Sequence, residues 1–224
     1  MQDDDKRLAA EAAVAEVEPG MLVGLGTGST AAFAIRALGE RVRQGLAVRA
    51  VATSAASAEL ARRHGIAVLD FADVGRADLT IDGADEIDDR LFAVKGAGGA
   101  MLREKVVAAA STRMIVIADG SKRAATIGRA RVPVEILPFA RTAVLAALGP
   151  AAELRLADGK PWMTDNGNMI ADCRLDLSDP RRSAAHLIAI PGVLGHGLFL
   201  EEVDAAYIAT DGVVARLERP RASD

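Results

Sequence analysis

The segment Met21–Val42 narrows the fold more than any other part of the chain. An apolar run, "MLV", leads into "GLGTGST" (Gly24–Thr30). A stretch with Phe33, Ala37, Leu38 and Val42 on one side comes next. That order reads as strand, tight turn and amphipathic helix. Strands are expected at Met21–Leu25, Val48–Thr53 and Ile66–Phe71, with helices at Thr30–Val42 and Ser54–His64. Gly65 stops the second of these helices. Strand–helix–strand–helix–strand argues for a parallel sheet with right-handed crossovers. Further strands are expected at Ala77–Asp82, Leu91–Lys95 and Arg113–Asp119, with a helix over Gly99–Ser111. A first helix fits Asp3–Val17, its acids in the first turn where the macrodipole favours them.

The texture changes near "RVPVEILP" (Arg131–Pro138), where two prolines bracket a short strand. Beyond it come a helix at Phe139–Leu148, a strand at Glu153–Ala157, two strands around "DNGN" (Asp165–Asn168) and a helix at Pro180–Ile190. "PGVLGHGLFL" leads into another strand. A last hairpin turns at Asp211–Gly212 and is expected to rejoin the large sheet. The expected fold class is α/β: a Rossmann-like, mostly parallel sheet domain with a second, smaller α+β domain. Residues 1–130 plus 204–224 form the first and residues 131–203 the second, which is expected at a subunit interface.

Half of the 224 residues are hydrophobic but only 3% are aromatic, so Val, Ile, Leu and Ala must fill the core. The net charge of −4 and the scarce aromatics count against a nucleic-acid surface. Cys173 is the single cysteine, which rules out an internal disulfide or a CxxC motif. His64, His186 and His196 are scattered, with no metal-ligand spacing, so no metal is expected. "MQDDDKRLAA" lacks the apolar region of a signal peptide, and no run of about 18 apolar residues exists. A cytoplasmic location is the expectation, with no membrane partner.

Four stretches at expected strand ends carry chemistry. "GLGTGST" offers bare backbone, a helix N-terminus and the hydroxyls of Ser29 and Thr30, which together suit a phosphate. It is neither a Walker A loop nor a full GxGxxG fingerprint. "DGADEID" (Asp82–Asp88) places Asp82 and Asp85 where both can enter one crevice, as a repelling carboxylate pair. A solvated acidic turn is the plainer alternative. "KGAGGAMLREK" (Lys95–Lys105) sets Lys95 at a strand end and Glu104 near the second turn of a helix, or is simply a charged surface. "ADGSK" (Ala118–Lys122) adds Lys122, or an ordinary exposed lysine.

Together these motifs resemble the type A ribose-5-phosphate isomerase family. The likeness includes "VGLGTGSTA", "DGADEID", "KGAGGAMLREK", "IADGSK", "PVEILP", "TDNGN" and "IPGVLGHGLF", and spans nearly the whole chain. The resemblance implies interconversion of ribose 5-phosphate and ribulose 5-phosphate in the non-oxidative pentose phosphate pathway, with no cofactor. It implies Glu104 as catalytic base, with Asp82, Asp85 and Lys95 as further catalytic residues. Substrate contacts are implied at Thr27, Gly28, Ser29 and Thr30, and at Asp82, Gly83, Ala84 and Asp85. The implied set continues through Lys95, Gly96, Ala97 and Gly98, with Lys122 and the N-terminal Lys6. Ala97 stands where some relatives have an unbroken glycine run. A homodimer or homotetramer is also implied. Other readings are a sugar-phosphate deaminase-isomerase, an acyl-CoA transferase and a non-catalytic sugar-phosphate-binding effector module.

Overall fold

The computed structural model describes residues 1–219. The end of the expected large domain, residues 220–224, lies outside the described residues. The first half of the chain runs α1 (Gln2–Val14), β1 (Leu22–Leu25), α2 (Ser29–Arg43), β2 (Arg49–Ala52), α3 (Ala55–Arg63) and β3 (Ala67–Val68). It continues through α4 (Phe71–Val74), β4 (Ala77–Gly83), β5 (Glu86–Asp88), β6 (Ala93–Val94), α5 (Met101–Ala109) and β7 (Ser111–Asp119). The second half holds β8 (Arg123–Ala124), β9 (Val132–Ile136), α6 (Arg141–Leu148), β10 (Ala152–Leu154), β11 (Leu156–Ala157) and β12 (Lys160–Pro161). The last elements are β13 (Met169–Cys173), α7 (Pro180–Ile188), β14 (Val193–His196), β15 (Leu198–Phe199), β16 (Ala205–Thr210) and β17 (Val213–Glu218).

Seven strands form the large sheet in the order β17-β16-β7-β4-β1-β2-β3. All its pairings are parallel except that of β16 with β17. β7 shows why the pattern is read so easily. Ile115 and Ile117 join the core under α1 and α2, while Met114, Val116 and Ala118 join the core beside Met101 of α5. Covered on both faces, the stretch Met114–Ala118 is apolar at every position. From β1 the chain runs outward to β2 and β3, then crosses back to β4 and β7. The crevice above β1 and β4 is therefore a topological switch point, where open α/β sheets bind ligands.

A second sheet, β10-β13-β9-β14, is antiparallel. Val144 of α6 and Leu187 of α7 close its core with Val132, Val134 and Ile136. The architecture is α/β with added antiparallel sheets, as the sequence implies. The Asp211–Gly212 hairpin also forms, both residues having positive φ (50° and 82°), and it rejoins the large sheet through β16 and β7.

Some expected elements differ. The strand expected at Ile66–Phe71 is only two residues long, because Asp70 accepts the Ala72 N–H at 3.0 Å and caps α4 instead. The strand expected at Leu91–Lys95 does not join the parallel sheet. Asp88 accepts the N–H groups of Arg90 and Phe92, at 3.0 and 3.2 Å, and turns the chain back. β6 then lies in a third sheet, β15-β6-β5-β8, antiparallel to β5 and β15. The strand expected at Glu153–Ala157 breaks into β10 and β11 around Arg155. The "DNGN" turn forms, but among the described residues its two arms are joined as strands only at the Met163–Met169 bridge; β12 before the turn pairs with β11, and β13 after it pairs with β9 and β10. Among the described residues no helix is long and apolar enough to cross a membrane.

Candidate active site

The wall built by β1 and α2 depends on two glycines. A Cβ on Gly26 would stand 2.0 Å from Asp82 Oδ1, so this loop can lie against Asp82 only with bare backbone. Gly28, at φ 104°, precedes α2. The Ala32 N–H donates to Gly28 C=O at 3.0 Å, so the N–H groups of Ser29, Thr30 and Ala31 have no partner in the helix. They and the macrodipole make a place for an anion.

Thr27 is spent inside the protein. Its N–H donates to Asp82 Oδ1 at 3.1 Å, and its hydroxyl meets Thr53 Oγ1 and Ser54 Oγ, each at 2.8 Å. Ser57 Oγ donates to Gly26 C=O at 2.7 Å. Thr53, Ser54 and Ser57 thus hold the loop, a role the sequence reading missed. Their signal is the cluster of hydroxyls at the end of β2, just as "GTGST" comes after β1.

Opposite stands Lys95. Its Nζ lies 2.9 Å from Asp82 Oδ2 and 3.1 Å from Glu104 Oε2, and it also donates to Gly83 C=O. All three side chains are buried. Lys95 reaches this point from β6 in the third sheet, rather than from a parallel neighbour of β4. Glu104 lies in the first turn of α5, one turn earlier than expected.

Burial pushes Lys95 down, but Asp82 and then Glu104 outweigh it, and its pKa lies above the ordinary value. Burial raises Asp82, with Lys95 opposing. Burial and then the Asp82 charge push Glu104 up to about 8, with Lys95 opposing. The strongly interacting carboxylates are therefore Asp82 and Glu104, rather than Asp82 and Asp85. Asp85 sits at the rim and accepts the Ala97 N–H at 2.8 Å. The rest of "DGADEID" is structural: buried Glu86 accepts the N–H groups of Gly128, Arg129 and Ala130 at 2.9, 3.0 and 2.9 Å.

These groups line a cavity of about 260 Å³. Thr27 through Thr30 form one side, Gly83 to Asp85 the floor, and Lys95 to Gly98 with Glu104 the other side. Lys122, at the end of the short Gly120–Lys122 turn, closes one end. Two of the expected site residues stand apart. Asp82 lies wholly buried beneath Lys95, and Lys6 pairs with Asp3 at 3.1 Å outside the cavity lining. His196 is lowered to about 4 by burial and stays neutral, and burial raises Cys173 to about 12. Among the described residues no three His, Cys, Asp or Glu side chains gather as metal donors.

The family model for ribose 5-phosphate isomerase A (phosphoriboisomerase A) matches residues 49–212. The ribose-5-phosphate isomerase A of Sphingopyxis alaskensis is 53% identical over 94% of each chain. The chain belongs to the ribose 5-phosphate isomerase A family. The Methylorubrum extorquens member is 49% identical over 92% of each chain. The solved structure of the Methanocaldococcus jannaschii family member superposes with a TM-score of 0.92 at 38% identity, over 96% of this chain and 99% of that one. A D-ribose-5-phosphate isomerase in complex with phospho-erythronic acid gives a TM-score of 0.94 at 35% identity, over 98% and 100%. The chain is thus an isomerase, and the resemblance read from its motifs holds over almost its full length.

Proposed function

We propose that this cavity interconverts D-ribose 5-phosphate and D-ribulose 5-phosphate through an enediolate, with Glu104 as the base. The observation that carries the reading is Glu104 beside the Lys95 ammonium, in a cavity whose far wall is the N-terminus of α2. The relative that binds phospho-erythronic acid, a sugar-acid phosphate, supports it.

Aldose–ketose isomerisation removes the C2 proton and returns a proton to C1. One base near both carbons suffices, and a positioned base contributes about 10² to 10⁴ in rate. Glu104, raised well above an ordinary carboxylate, is basic enough to take that proton and acidic enough to give it back. Negative charge develops on O1 and O2 in turn, and Lys95 stabilises it. A proton must also pass between these oxygens. Asp85, at the rim, fits that shuttle and the opening of the furanose ring. Asp82 fits a supporting role, since it holds Lys95 and the Thr27 and Gly83 N–H groups. Ser29, Thr30 and Lys122 take the phosphate. Its binding orients the sugar and lowers the barrier.

The same reading places the enzyme in the non-oxidative pentose phosphate pathway, in the cytoplasm, as a homodimer or homotetramer, on the strength of the family alone. The test gives EDTA-treated protein ribose 5-phosphate in D₂O and tracks ketose formation and deuterium at C1. Conversion with deuterium uptake is expected, and Glu104→Gln should cut kcat by about 10³. Near-normal turnover in Glu104→Gln removes that residue from the base role. Sugar-phosphate binding without conversion favours an effector module.

A further inference from the structure

The antiparallel sheet sends one cation into the glycine loop after Lys95. Arg155 comes directly after β10, and its backbone is fixed on both sides. Its N–H donates to Ile170 C=O at 2.8 Å, and its C=O accepts the Trp162 N–H at 2.9 Å. Asp172 grips the guanidinium side-on, with Nε 2.8 Å from Oδ2 and Nη2 against Oδ1. The remaining nitrogen, Nη1, donates to two successive carbonyls, Gly96 at 3.1 Å and Ala97 at 3.0 Å. The Arg155 and Asp172 side chains are 16% and 19% exposed, so water competes little for these bonds.

A planar trans peptide points its C=O and its N–H in opposite directions. None of the described peptide bonds is cis. With the Gly96 C=O drawn to Arg155, the Ala97 N–H faces the other way, where it meets Asp85. With the Ala97 C=O drawn the same way, the Gly98 N–H also faces away from Arg155, on the Asp85 side. Gly98 lines the cavity, and among the described residues its N–H has no partner. An N–H held in this way, in the cavity that Lys95 also lines, is the kind of donor that stabilises a developing oxyanion.

We infer that Arg155, held by Asp172, is a positioning residue for the isomerisation, setting two peptide planes so that the Gly98 N–H is presented to the substrate oxygen that gains charge. Lysine cannot replace it, since a single ammonium lacks the fork that grips a carboxylate and two carbonyls together. The inference rests on the cavity being the isomerase site, as proposed above.

The test compares Arg155→Ala, Arg155→Lys and Asp172→Asn in the full chain with ribose 5-phosphate as substrate. Arg155→Ala should lower kcat about 10²-fold while KM moves much less. Guanidinium, added well below denaturing levels, should restore part of the lost kcat, and methylammonium should not. Arg155→Lys should be as poor as Arg155→Ala. A merely structural role would lower the melting temperature with no guanidinium-specific rescue, which overturns the inference. So does kcat within about twofold of wild type in a folded Arg155→Ala protein. Where Arg155→Ala does not fold, Asp172→Asn decides, since it loosens the guanidinium without removing it. A fall in kcat of about tenfold is expected there, and unchanged kcat overturns the inference. Glu104→Gln in the same assay separates the two failures. An inert Glu104→Gln beside a normal Arg155→Ala sinks the positioning role alone, whereas an active Glu104→Gln sinks the site assignment.

Discussion

Lys95 Nζ stands 3.1 Å from Glu104 Oε2, and both side chains are 3% exposed. Glu104, the proposed base, is thus buried beside a cation, and a second carboxylate, Asp82, shares that cation. Two negative charges on one positive charge leave Glu104 poorly compensated when ionised, and this sets the pH response.

Activity should carry that mark. As the proposed base, Glu104 must lose its proton to act, and burial with the Asp82 charge pushes it up to about 8. A plot of kcat/KM against pH should therefore rise along an acid limb far above the ordinary glutamate range. Asp82→Asn removes the negative neighbour and leaves Lys95 to Glu104 alone, so the limb should move to lower pH. A limb that stays in place separates Glu104 from Asp82.

Stability should respond as well. The folded protein keeps the Glu104 proton at pH values where the unfolded chain, with an ordinary value of 4.5, has released it. The contribution is full below 4.5 and is lost as pH rises through about 8. Across that window the melting temperature of wild type should fall relative to Glu104→Gln. Parallel curves for the two proteins contradict the shift.

Lys95→Met should destabilise strongly. It strands two buried carboxylates without a counter-charge, which costs about 3–5 kcal/mol at neutral pH. Acid should recover part of the loss, because both carboxylates can then become neutral. Urea unfolding at neutral and acid pH measures the difference, and equal losses at both would assign the effect to packing.

Gly26→Ala should damage the site from behind. The new methyl would lie 2.0 Å from Asp82 Oδ1, so Asp82 must shift and take its bond from the Thr27 N–H with it. A loss of about 1–3 kcal/mol is expected from overpacking. Calorimetry reads it directly, and a melting temperature equal to wild type would mean the loop relaxes freely.

The large sheet was legible because its strands obey local rules. β7 is apolar from Met114 to Ala118, and Asp211–Gly212 is a turn that announces itself. The third sheet was not legible, because β6 is two residues long, the Asp88 turn that folds it onto β5 has no Asn-Gly or Asp-Gly signal, and its other partner, β15, comes from a distant part of the chain. The site motifs and their shared rim were visible, but which carboxylates interact there was not. Sequence pairs Asp82 with Asp85 by nearness, while the fold pairs Asp82 with Glu104 through Lys95. Arg155 carries no motif at all, since its target is backbone carbonyl groups, which any sequence supplies.

The backbone bond that fixes Lys95 also says when the enzyme can first work. The Lys95 N–H donates to Gly197 C=O at 2.8 Å, and the Gly197 N–H donates to Pro133 C=O at 2.7 Å. Beyond these, β16 must still arrive to cover the edge of β7. A ribosome delivers the N-terminal half first, complete with glycine loop, acids and lysine. That half waits with an open sheet edge and an unanchored lysine until the last strands leave the exit tunnel. The nascent chain thus exposes the edge of β7 to edge-to-edge pairing from the completion of β7 until β16 arrives, and it can act as an isomerase only once Lys95 is anchored.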